Sequence, residues 1–257
     1  MKVLLFVNGW VGWQVARWLA RQDAEVVGLV LHPAGRRRYG REIEAAFPDV
    51  PRLDGAALRT PEARAAVEAL QPVMGLSIYF GYLFEPALIS CFPRGLVNLH
   101  PGLLPYNRGA YPNVWSLVDQ TPAGVTLHQI DAGIDTGPVL AQRPVPTHPT
   151  DTGATLYARL EQAAVRLFQA SWPALEAGTL VPKPQPAEAG TYHARRDVKA
   201  LDEIDLDATY TGRDLLNRLR ARTFPPHRGA FIREGGQKIY LRLHLDAVPD
   251  TPNPDAP

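Results

Sequence analysis

The chain has 257 residues, of which 46% are hydrophobic and 21% are charged, and its formal net charge is +1 at pH 7. These values are typical of a globular protein with one large domain and room for a small appendage, and they exclude a disordered chain. A nearly balanced charge argues against broad electrostatic capture of nucleic acid or of a membrane surface, so we expect neither as a partner.

The cysteine content and the apolar runs indicate the cellular compartment in which the protein works. Cys91 is the only cysteine, so an intrachain disulfide and a cysteine-based metal cage are excluded. The apolar run at the start of the chain is too short, and lacks a cleavage site, for a signal peptide. No stretch approaches the roughly 20 apolar residues that a membrane span needs. We therefore expect a cytoplasmic protein.

The first half of the chain predicts strands that alternate with helices. Residues 3–7 form a short apolar run typical of a buried parallel strand, and residues 11–20 follow with the apolar spacing of a helix. A second strand is predicted at 25–31, a helix opening at Thr60-Pro61, and further strands at 73–79 and 95–100. This alternation predicts an α/β fold with a Rossmann-like, mostly parallel sheet and helices on both faces.

The loop after the first predicted strand does not favour a dinucleotide. It reads Gly9-Trp10-Val11-Gly12, which lacks the third glycine of the dinucleotide fingerprint. No acidic residue stands at the end of the second predicted strand to bind a ribose. The nearby run Arg36-Arg37-Arg38 is interpreted as a solvated loop, with the remnant of a basic insertion as the alternative.

The second half predicts a long helix and a small terminal unit. A helix is predicted at 112–118, strands at 124–131 and 139–145, and an amphipathic helix at 152–177. Residues 180–190 are proline-rich and polar, typical of a linker or an extended crossing. A helix at 213–222 and strands at 230–233 and 238–245 follow, the two strands joined at Gly235-Gly236 as a hairpin. We therefore divide the chain into a main domain at 1–180, a helix-and-hairpin unit at 181–246 and a disordered tail at 247–257.

An amide and an imidazole stand two residues apart at the end of a predicted strand. Asn98 and His100 point to the same side of that strand, at the edge where α/β sheets bind ligands. The amide can donate a hydrogen bond to a developing oxyanion, and the imidazole can take a proton near neutral pH. Pro101 and Pro105 restrict the loop that follows. A capping asparagine beside a structural histidine remains the alternative.

A carboxylate follows the strand predicted at 124–131. Asp135 lies between Gly133 and Gly137, which permit a tight loop, and could orient the imidazole of His100. A turn aspartate that bonds its own backbone is the alternative. His128 stands mid-strand, where it could support this loop or contact a substrate. Because the chain has no cysteine pair and no histidines at helical metal-ligand spacing, we expect no metal.

These residues together resemble a known family. Asn98-x-His100-Pro101-x-Leu103-Leu104-Pro105, followed by His128 and Asp135, is similar to the signature of the formyltransferases that use 10-formyltetrahydrofolate, over residues 1–175. The resemblance implies that Asn98, His100 and Asp135 are the catalytic residues, that 1–180 is the catalytic domain and that 10-formyltetrahydrofolate is the donor. It also implies pterin contacts, which fall at Leu83, Phe84, Leu96, Ile130, Asp131 and Gly133.

The end of the chain resembles one branch of this family. Residues 219–226 and 238–242 are similar to the tail of bacterial sugar N-formyltransferases, which act on nucleotide-linked amino deoxysugars used for surface polysaccharides. Such substrates include dTDP-sugars and GDP-perosamine. Residues 106–115 are also similar to theirs, although some members have arginine where Ala110 stands. This branch implies sugar-nucleotide contacts by Tyr79, Tyr106, Asn107, Arg108, Tyr111 and Phe224, although packing of Phe224 against the main domain is the favoured alternative.

Other functions remain open at this point. A methionyl-tRNA formyltransferase or a formyltransferase for another small amine would use the same catalytic residues, as would a hydrolase that releases formate from the folate. A non-catalytic folate- or nucleotide-binding module would not require all three of Asn98, His100 and Asp135. The terminal hairpin would leave strand edges exposed, so we expect a homodimer through that hairpin.

Overall fold

The computed structural model describes residues 1–186 and 190–248. The strands are β1 (Lys2–Val7), β2 (Glu25–Leu31), β3 (Arg52–Asp54), β4 (Met74–Ile78), β5 (Leu96–His100), β6 (Arg108–Gly109), β7 (Gly124–Gln129), β8 (Val139–Pro144), β9 (Tyr192–His193), β10 (Phe231–Glu234) and β11 (Gln237–Tyr240). The helices are α1 (Gly9–Leu19), α2 (Gly40–Ala46), α3 (Pro61–Ala69), α4 (Pro86–Ile89), α5 (Pro112–Val118), α6 (Gly153–Ala177) and α7 (Gly212–Arg222).

The predicted α/β fold with a mostly parallel sheet is confirmed. The main sheet has the strand order β3-β2-β1-β4-β5-β7-β8. Strands β1 to β5 pair in parallel, whereas β7 is antiparallel to β5 and β8 is antiparallel to β7. The chain moves outward in one direction from β1 to β3 and in the other from β4, so the topological switch point lies between β1 and β4. Ligands of open α/β sheets bind beside such a point, at the carboxyl ends of the strands.

Helices cover both faces of the sheet, as predicted. Alternate residues of β1 point to opposite faces, and the two faces contribute to two separate apolar clusters. Val3, Leu5 and Val7 pack in the cluster that includes buried residues of α1 and α6. Leu4 and Phe6 pack in the second cluster, together with residues of α3 and α4. The middle of the sheet is therefore buried on both sides.

The long helix α6 has the extent that its apolar pattern predicts. Thr152 is its N-cap and forms a reciprocal capping box with Thr155, which satisfies main-chain groups at the helix start. The helix ends at Ala177 and is capped by Gly178, whose φ of 72° is the left-handed conformation that favours glycine. Its buried face includes Leu160 and Phe168, which pack in the larger apolar cluster. The helix thereby supports the sheet beneath the strands β5 and β7.

The C-terminal unit differs from its prediction in one strand. Strands β10 and β11 form the expected antiparallel hairpin around Gly235 and Gly236, which both have positive φ. The second strand, predicted at 238–245, ends at Tyr240. Leu241 makes the last main-chain bond, to Ala230, and Leu243 then donates to the side chain of Thr223 at 3.0 Å instead of continuing the ladder. The tail predicted at 247–257 lies largely outside the described residues.

Short elements were not predicted from the sequence. These are β3, the pair β6–β9, α2, α4 and the single turns at Ala34–Arg36, Gly55–Ala57 and Asp197–Leu201. Some predicted boundaries also differ from the observed ones. The helix predicted at 11–20 begins at Gly9, and the strand predicted at 124–131 ends at Gln129. The segment predicted as a linker or crossing runs beside the sheet, where Lys183 and Val139 exchange two main-chain hydrogen bonds of 2.8 Å. Residues 187–189 of that segment are outside the described part of the chain.

Candidate active site

The antiparallel pairing of β5 and β7 places Asn98 opposite His128. The amide nitrogen of Asn98 lies 3.1 Å from Nε2 of His128 and 3.4 Å from Oδ1 of Asp135. Nδ1 of His128 lies 2.8 Å from the main-chain oxygen of Gln129, which can only accept, so Nδ1 carries a proton. Nε2 of the nearly inaccessible His128 faces both Asn98 and Asp135, so the ring supports the site from beneath.

Three further groups contact the carboxylate of Asp135. Its Oδ2 accepts a hydrogen bond of 2.9 Å from the main-chain nitrogen of Gly109 and lies 3.6 Å from Nδ1 of His100. Its Oδ1 lies 3.4 Å from Nε2 of His128. The backbone of Asp135 has a φ of 53°, an uncommon conformation for a residue with a side chain. The sequence prediction that this carboxylate lies beside His100 is therefore matched by the geometry, rather than the alternative of a turn aspartate bonded to its own backbone.

His100 presents one defined nitrogen to the site. Its Nε2 lies 3.3 Å from the main-chain oxygen of Asn107, and a carbonyl can only accept, so Nε2 carries the proton. Nδ1 then lacks a proton in the neutral ring and faces Asp135. The ring is 4% exposed, and a Cβ atom on Gly102 would lie only 2.6 Å from Nε2. Glycine at position 102 is what allows the imidazole to occupy this place.

The charges of the site follow from burial and from mutual contact. Burial alone would raise the pKa of Asp135, but His100, then His128, and the N–H of Gly109 together lower it well below its usual range. Burial lowers the pKa of His100 from 6.5, His128 lowers it further, and Asp135 acts in the opposite direction. At neutral pH the site therefore combines an ionised carboxylate with a neutral imidazole. This combination can accept a proton and stabilise the resulting imidazolium.

The loop beside His100 is braced by residues after α6. Strand β6 pairs in parallel with β9, and Asn107 exchanges hydrogen bonds with Thr191 through its main-chain nitrogen, at 2.8 Å, and its side-chain oxygen, at 3.1 Å. The amide nitrogen of Asn107 donates to Ser116 and Thr121. Gly109 has a φ of 90°, and a Cβ there would lie 2.4 Å from the main-chain oxygen of His193. The amide of Asn107, predicted as a sugar contact, is thus occupied within the protein.

Gln185 connects the same loop to the Asp135 loop. Its amide nitrogen donates to the main-chain oxygens of Asp135 and Gly137, at 2.8 and 2.7 Å. Its amide oxygen accepts two hydrogen bonds, of 3.1 and 2.9 Å, from the guanidinium of Arg108. Arg108, another predicted sugar contact, is therefore also engaged inside the protein. Neither Gln185 nor Thr191 is singled out by the sequence, because Gln185 stands in the proline-rich stretch and Thr191 directly after it, where no periodicity marks either residue.

The residues predicted to contact the pterin lie near the second apolar cluster. Leu83 is 58% exposed, whereas Phe84 packs edge-on against Phe6 with ring centroids 4.9 Å apart. Leu96 is fully buried, so only its backbone could reach a ligand, and its oxygen already accepts a bond of 2.7 Å from Ile130. The side chain of Asp131 holds its own loop by accepting from the main-chain nitrogen of Gly133 and the hydroxyl of Thr136.

The predicted aromatic contacts separate into two groups. Tyr106 is half-buried, and Tyr111 is 40% exposed; both lie on the loop that carries Asn107. Tyr79 and Phe224 belong to an aromatic row with Tyr157 between them, with centroid distances of 6.3 and 5.5 Å. Phe224 therefore packs on the main domain, the alternative that the sequence favoured, although it remains only half-buried.

The described residues contain no group of three or more His, Cys, Asp or Glu side chains arranged to hold a metal ion. Within residues 1–186 and 190–248, no helix is both long and apolar enough to cross a membrane.

Comparison with family models gives two matches that cover most of the chain. The model described as formyl transferase matches residues 16–171, and the model described as N-formyltransferase dimerization C-terminal domain matches residues 197–247. A dTDP-4-amino-4,6-dideoxyglucose formyltransferase of Mycobacterium tuberculosis is 37% identical over 201 residues, which cover 78% of this chain and 82% of that protein. A methionyl-tRNA formyltransferase of Sorangium cellulosum is 34% identical over 238 residues, covering 88% and 74% respectively.

Solved structures agree with these matches. A 4-N formyltransferase from Francisella tularensis superposes with a TM-score of 0.82 at 25% identity, covering 96% of this chain and 98% of that one. A formyltransferase from Anoxybacillus kamchatkensis, solved with UDP-4,6-dideoxy-4-formamido-L-AltNAc and tetrahydrofolate, gives a TM-score of 0.58 at 27% identity, covering 86% and 98%. The predicted family resemblance is confirmed: the chain belongs to the formyl transferase family and is an enzyme that transfers a formyl group.

Proposed function

We propose that this enzyme transfers the formyl group of 10-formyltetrahydrofolate to the amine of a dTDP-linked 4-amino-4,6-dideoxy sugar. The observation that carries the proposal is the convergence of Asn98, His100 and Asp135 at one strand end. The sugar class is supported by the 37% identity to a dTDP-4-amino-4,6-dideoxyglucose formyltransferase. The donor is supported by the tetrahydrofolate named in the structure of the Anoxybacillus relative.

Asn98 is proposed to stabilise the oxyanion that develops on the formyl oxygen. Its amide nitrogen has two hydrogens, and the contact with His128 at 3.1 Å uses one of them. The second is directed to Asp135 at 3.4 Å, a long contact that the amide can exchange for a stronger bond to a negative oxygen. An oxyanion donor of this kind typically contributes about 10²–10³-fold to turnover.

His100 is proposed to take the proton that the sugar amine loses as it attacks the formyl carbon. Nδ1 is the accepting atom, because Nε2 already donates to the oxygen of Asn107. Once Nδ1 is protonated, the imidazolium faces the carboxylate of Asp135 across 3.6 Å, which stabilises the charge. The proton then passes to the departing nitrogen of the folate, so no covalent bond to the enzyme is needed.

The two substrates are proposed to approach from opposite sides of β5. We propose that the pterin lies against Leu83, Phe84 and Ile130, beside the loop in which the side chain of Asp131 accepts from the main-chain nitrogen of Gly133. Leu96 would contribute only through its backbone. On the sugar side we propose contacts by Tyr79, Tyr106, Tyr111 and Phe224, with Asn107 and Arg108 acting as supports for the loop.

A mass-resolved turnover assay tests the reaction and the substrate class. Purified enzyme is incubated with 10-formyltetrahydrofolate and a panel of dTDP-, GDP- and UDP-linked 3-amino and 4-amino deoxysugars. We expect a dTDP-linked 4-amino sugar to gain the mass of one formyl group, and the His100→Ala variant to leave the same sugar unchanged. Formate release without any formylated sugar would contradict the proposal and favour a folate hydrolase.

Formylation of methionyl-tRNA is the second candidate function. The 34% identity to a methionyl-tRNA formyltransferase over 88% of the chain favours it. The near-neutral charge of the chain argues against it, because tRNA binding draws on contacts between basic residues and phosphates. The assay therefore includes charged initiator tRNA and glycinamide ribonucleotide as acceptors, and a formylated tRNA in the absence of a formylated sugar would replace the first proposal.

We also propose a homodimer that forms through the C-terminal hairpin. Ile239 and Tyr240 on β11 are 41% and 39% exposed, and the pairing of β11 with β10 leaves its other edge free among the described residues. The matched family model carries dimerization in its description. Ile239→Lys is expected to convert a dimer into a monomer in light scattering, and a monomeric wild type would contradict the proposal. A cytoplasmic location, where Cys91 stays reduced, is proposed with it.

A further inference from the structure

A basic cavity of about 410 Å³ lies outside the cluster of Asn98, His100 and Asp135. Its lining includes Asn8, His32, Arg36, Arg38, Tyr79 and Arg195. Asn8, His32 and Tyr79 directly follow β1, β2 and β4, so the cavity opens at the carboxyl edge of the sheet, over the topological switch point. Strand β4 neighbours β5, and adjacent strands are about 4.8 Å apart, so the cavity begins one strand away from the catalytic residues.

Three of the cavity arginines have charges that the described residues leave unpaired. Arg37 forms an ion pair with Glu44 at 2.6 Å and donates to the main-chain oxygen of His32. By contrast, Arg36, Arg38 and Arg195 have no carboxylate within ion-pair distance in residues 1–186 and 190–248. A Cβ at Gly81 would lie 4.0 Å from a guanidinium nitrogen of Arg195. Arg195, which belongs to the segment after α6, therefore lies over the end of β4.

The arginine loop is fixed to the sheet rather than free. The side chain of Asn8 accepts a hydrogen bond of 2.8 Å from the main-chain nitrogen of Arg38 and donates to the oxygen of Arg36 at 3.4 Å. The oxygen of Arg38 accepts from the nitrogen of Gly9 at 3.2 Å, at the start of α1. The interpretation of Arg36-Arg37-Arg38 as a merely solvated loop is therefore incomplete, because its backbone is held in place and its side chains face a cavity.

Buried donors in the cavity lining await an acceptor. Nε2 of His32 accepts from the nitrogen of Gly81 at 3.4 Å, so Nδ1 carries the proton of the neutral ring. Burial, and then Arg36 and Arg37, lower the pKa of His32, which keeps the ring neutral. Nδ1 of His32 and the hydroxyl of Tyr79 are both buried without a partner among the described residues. Such donors, beside the N-terminus of α1, suit a ligand whose oxygens only accept.

We propose that this cavity binds the diphosphate of the nucleotide-linked sugar through Arg36, Arg38 and Arg195, with the nucleoside directed toward Tyr157 and Phe224. The inference rests on the proposed sugar-nucleotide substrate and names the residues that hold it. A diphosphate matches the cavity because its oxygens are acceptors and carry several negative charges. Because the cavity begins at the end of β4, next to β5, the sugar attached to the diphosphate can extend toward His100. The aromatic row Tyr79, Tyr157 and Phe224 leads away from the cavity on its other side.

Titration calorimetry with dTDP and with inorganic pyrophosphate tests the assignment without catalysis. Arg195→Gln and Arg38→Gln are each expected to lower the affinity for both ligands by about tenfold or more, because each removes a charge-assisted hydrogen bond. Arg196→Gln is the matched control, since Arg196 is the neighbour of Arg195 and its side chain is 89% exposed. This control is expected to bind both ligands as the wild type does, and all proteins are expected to bind tetrahydrofolate equally.

The outcomes test the assignment of the cavity separately from the proposed reaction. Unchanged dTDP affinity in both arginine variants, a wild type that binds neither ligand, or a loss confined to tetrahydrofolate would each overturn the cavity assignment, even if a dTDP-sugar is formylated. Loss of dTDP binding in the arginine variants supports the assignment, even if the turnover assay identifies an acceptor other than a dTDP-sugar and so overturns the proposed reaction.

Discussion

The main-chain nitrogen of Gly109 donates a hydrogen bond of 2.9 Å to Oδ2 of Asp135, and this bond joins the loop after β5 to the loop after β7. Both loops are in turn held by residues that follow α6: Thr191 bonds Asn107, and Gln185 bonds the main chain of Asp135. The position of the carboxylate beside His100 therefore depends on a part of the chain beyond the sheet itself.

Removal of either polar group at the end of β5 should abolish most turnover without unfolding the enzyme. His100→Ala should lower kcat by about 10²–10⁴-fold and Asn98→Ala by about 10²–10³-fold, since one removes the proposed proton acceptor and the other the proposed oxyanion donor. His244→Ala, whose side chain is 89% exposed, is the control and should keep wild-type turnover. Circular dichroism checks that each variant is folded, and near-normal turnover in a folded His100→Ala enzyme would refute the assigned role.

A single methyl group at Gly102 should displace the imidazole. The added Cβ would lie 2.6 Å from Nε2 and 2.9 Å from Cδ2 of His100, closer than van der Waals contact permits. We expect Gly102→Ala to lower kcat by about 10²-fold, the scale expected when a catalytic group is misplaced by about 1 Å, with a smaller change in KM. Gly212→Ala is the matched control because Gly212 lies at the start of α7 and a Cβ there meets nothing within 4 Å. Equal kcat values for the two variants would show that the ring can move without consequence.

Strand polarity and residue spacing made much of the site predictable. The apolar run of β5 predicts a buried strand, and its period of two places Asn98 and His100 on one side. Gly133 and Gly137 indicate the tight loop that carries Asp135. The bracing contacts were not predictable, because Asn107 and Thr191 are 84 positions apart and the pairing of β6 with β9 involves only two residues per strand. No periodicity can reveal so short a pairing over such a separation.

The basic cavity shows a similar limit. A run of three arginines in one loop is, on its own, indistinguishable from a solvated surface. Its character depends on Asn8, which fixes the loop to the end of β1, and on Arg195, which approaches from the C-terminal segment. Both contacts arise only when the chain is folded, so charge patterning along the sequence could not distinguish a cavity from a surface.

Substitution of Asp135 should move the pH dependence of turnover in a defined direction. His100 accepts a proton only when neutral, so activity is lost as pH falls through its pKa, which burial holds below 6.5. The charge of Asp135 acts to raise that pKa, while His128 acts to lower it. Asp135→Asn should therefore shift the acid limb of the kcat profile to lower pH, while the plateau also falls. An acid limb that stays in place or moves to higher pH would contradict this coupling.

Gln185 should act as a positioning residue through its two donated hydrogen bonds. Gln185→Ala leaves the main-chain oxygens of Asp135 and Gly137 without their donor. An oxygen that stays buried without a donor lowers the free energy of unfolding by about 1–3 kcal/mol. Gln185→Glu keeps an acceptor for Arg108 but cannot donate, so it should lower kcat as much as Gln185→Ala does. Both variants should change KM for the sugar less than kcat. Gln22→Ala, at an exposed position, is the control and should keep wild-type kcat and KM. Full activity of Gln185→Glu would instead make Arg108 the important contact.

The binding of dTDP should depend on a carboxyl group beside the basic cavity. Burial raises the pKa of Glu161 to about 7, against the opposing effects of its hydrogen bond with Tyr157 and of the charge of Arg38. Above that pH the ionised Glu161, which is not paired with Arg38 but senses its charge, repels the bound diphosphate, so this carboxyl weakens dTDP binding as pH rises through about 7. The terminal phosphate of dTDP, which ionises near pH 6, acts in the opposite direction.

Comparison with Glu161→Gln removes the effect of the phosphate, because the same ligand is titrated into both proteins. We expect the variant to bind dTDP more tightly than the wild type above pH 7 and equally below it, as measured by calorimetry. The same affinity ratio on both sides of pH 7 would show that Glu161 does not face the bound anion.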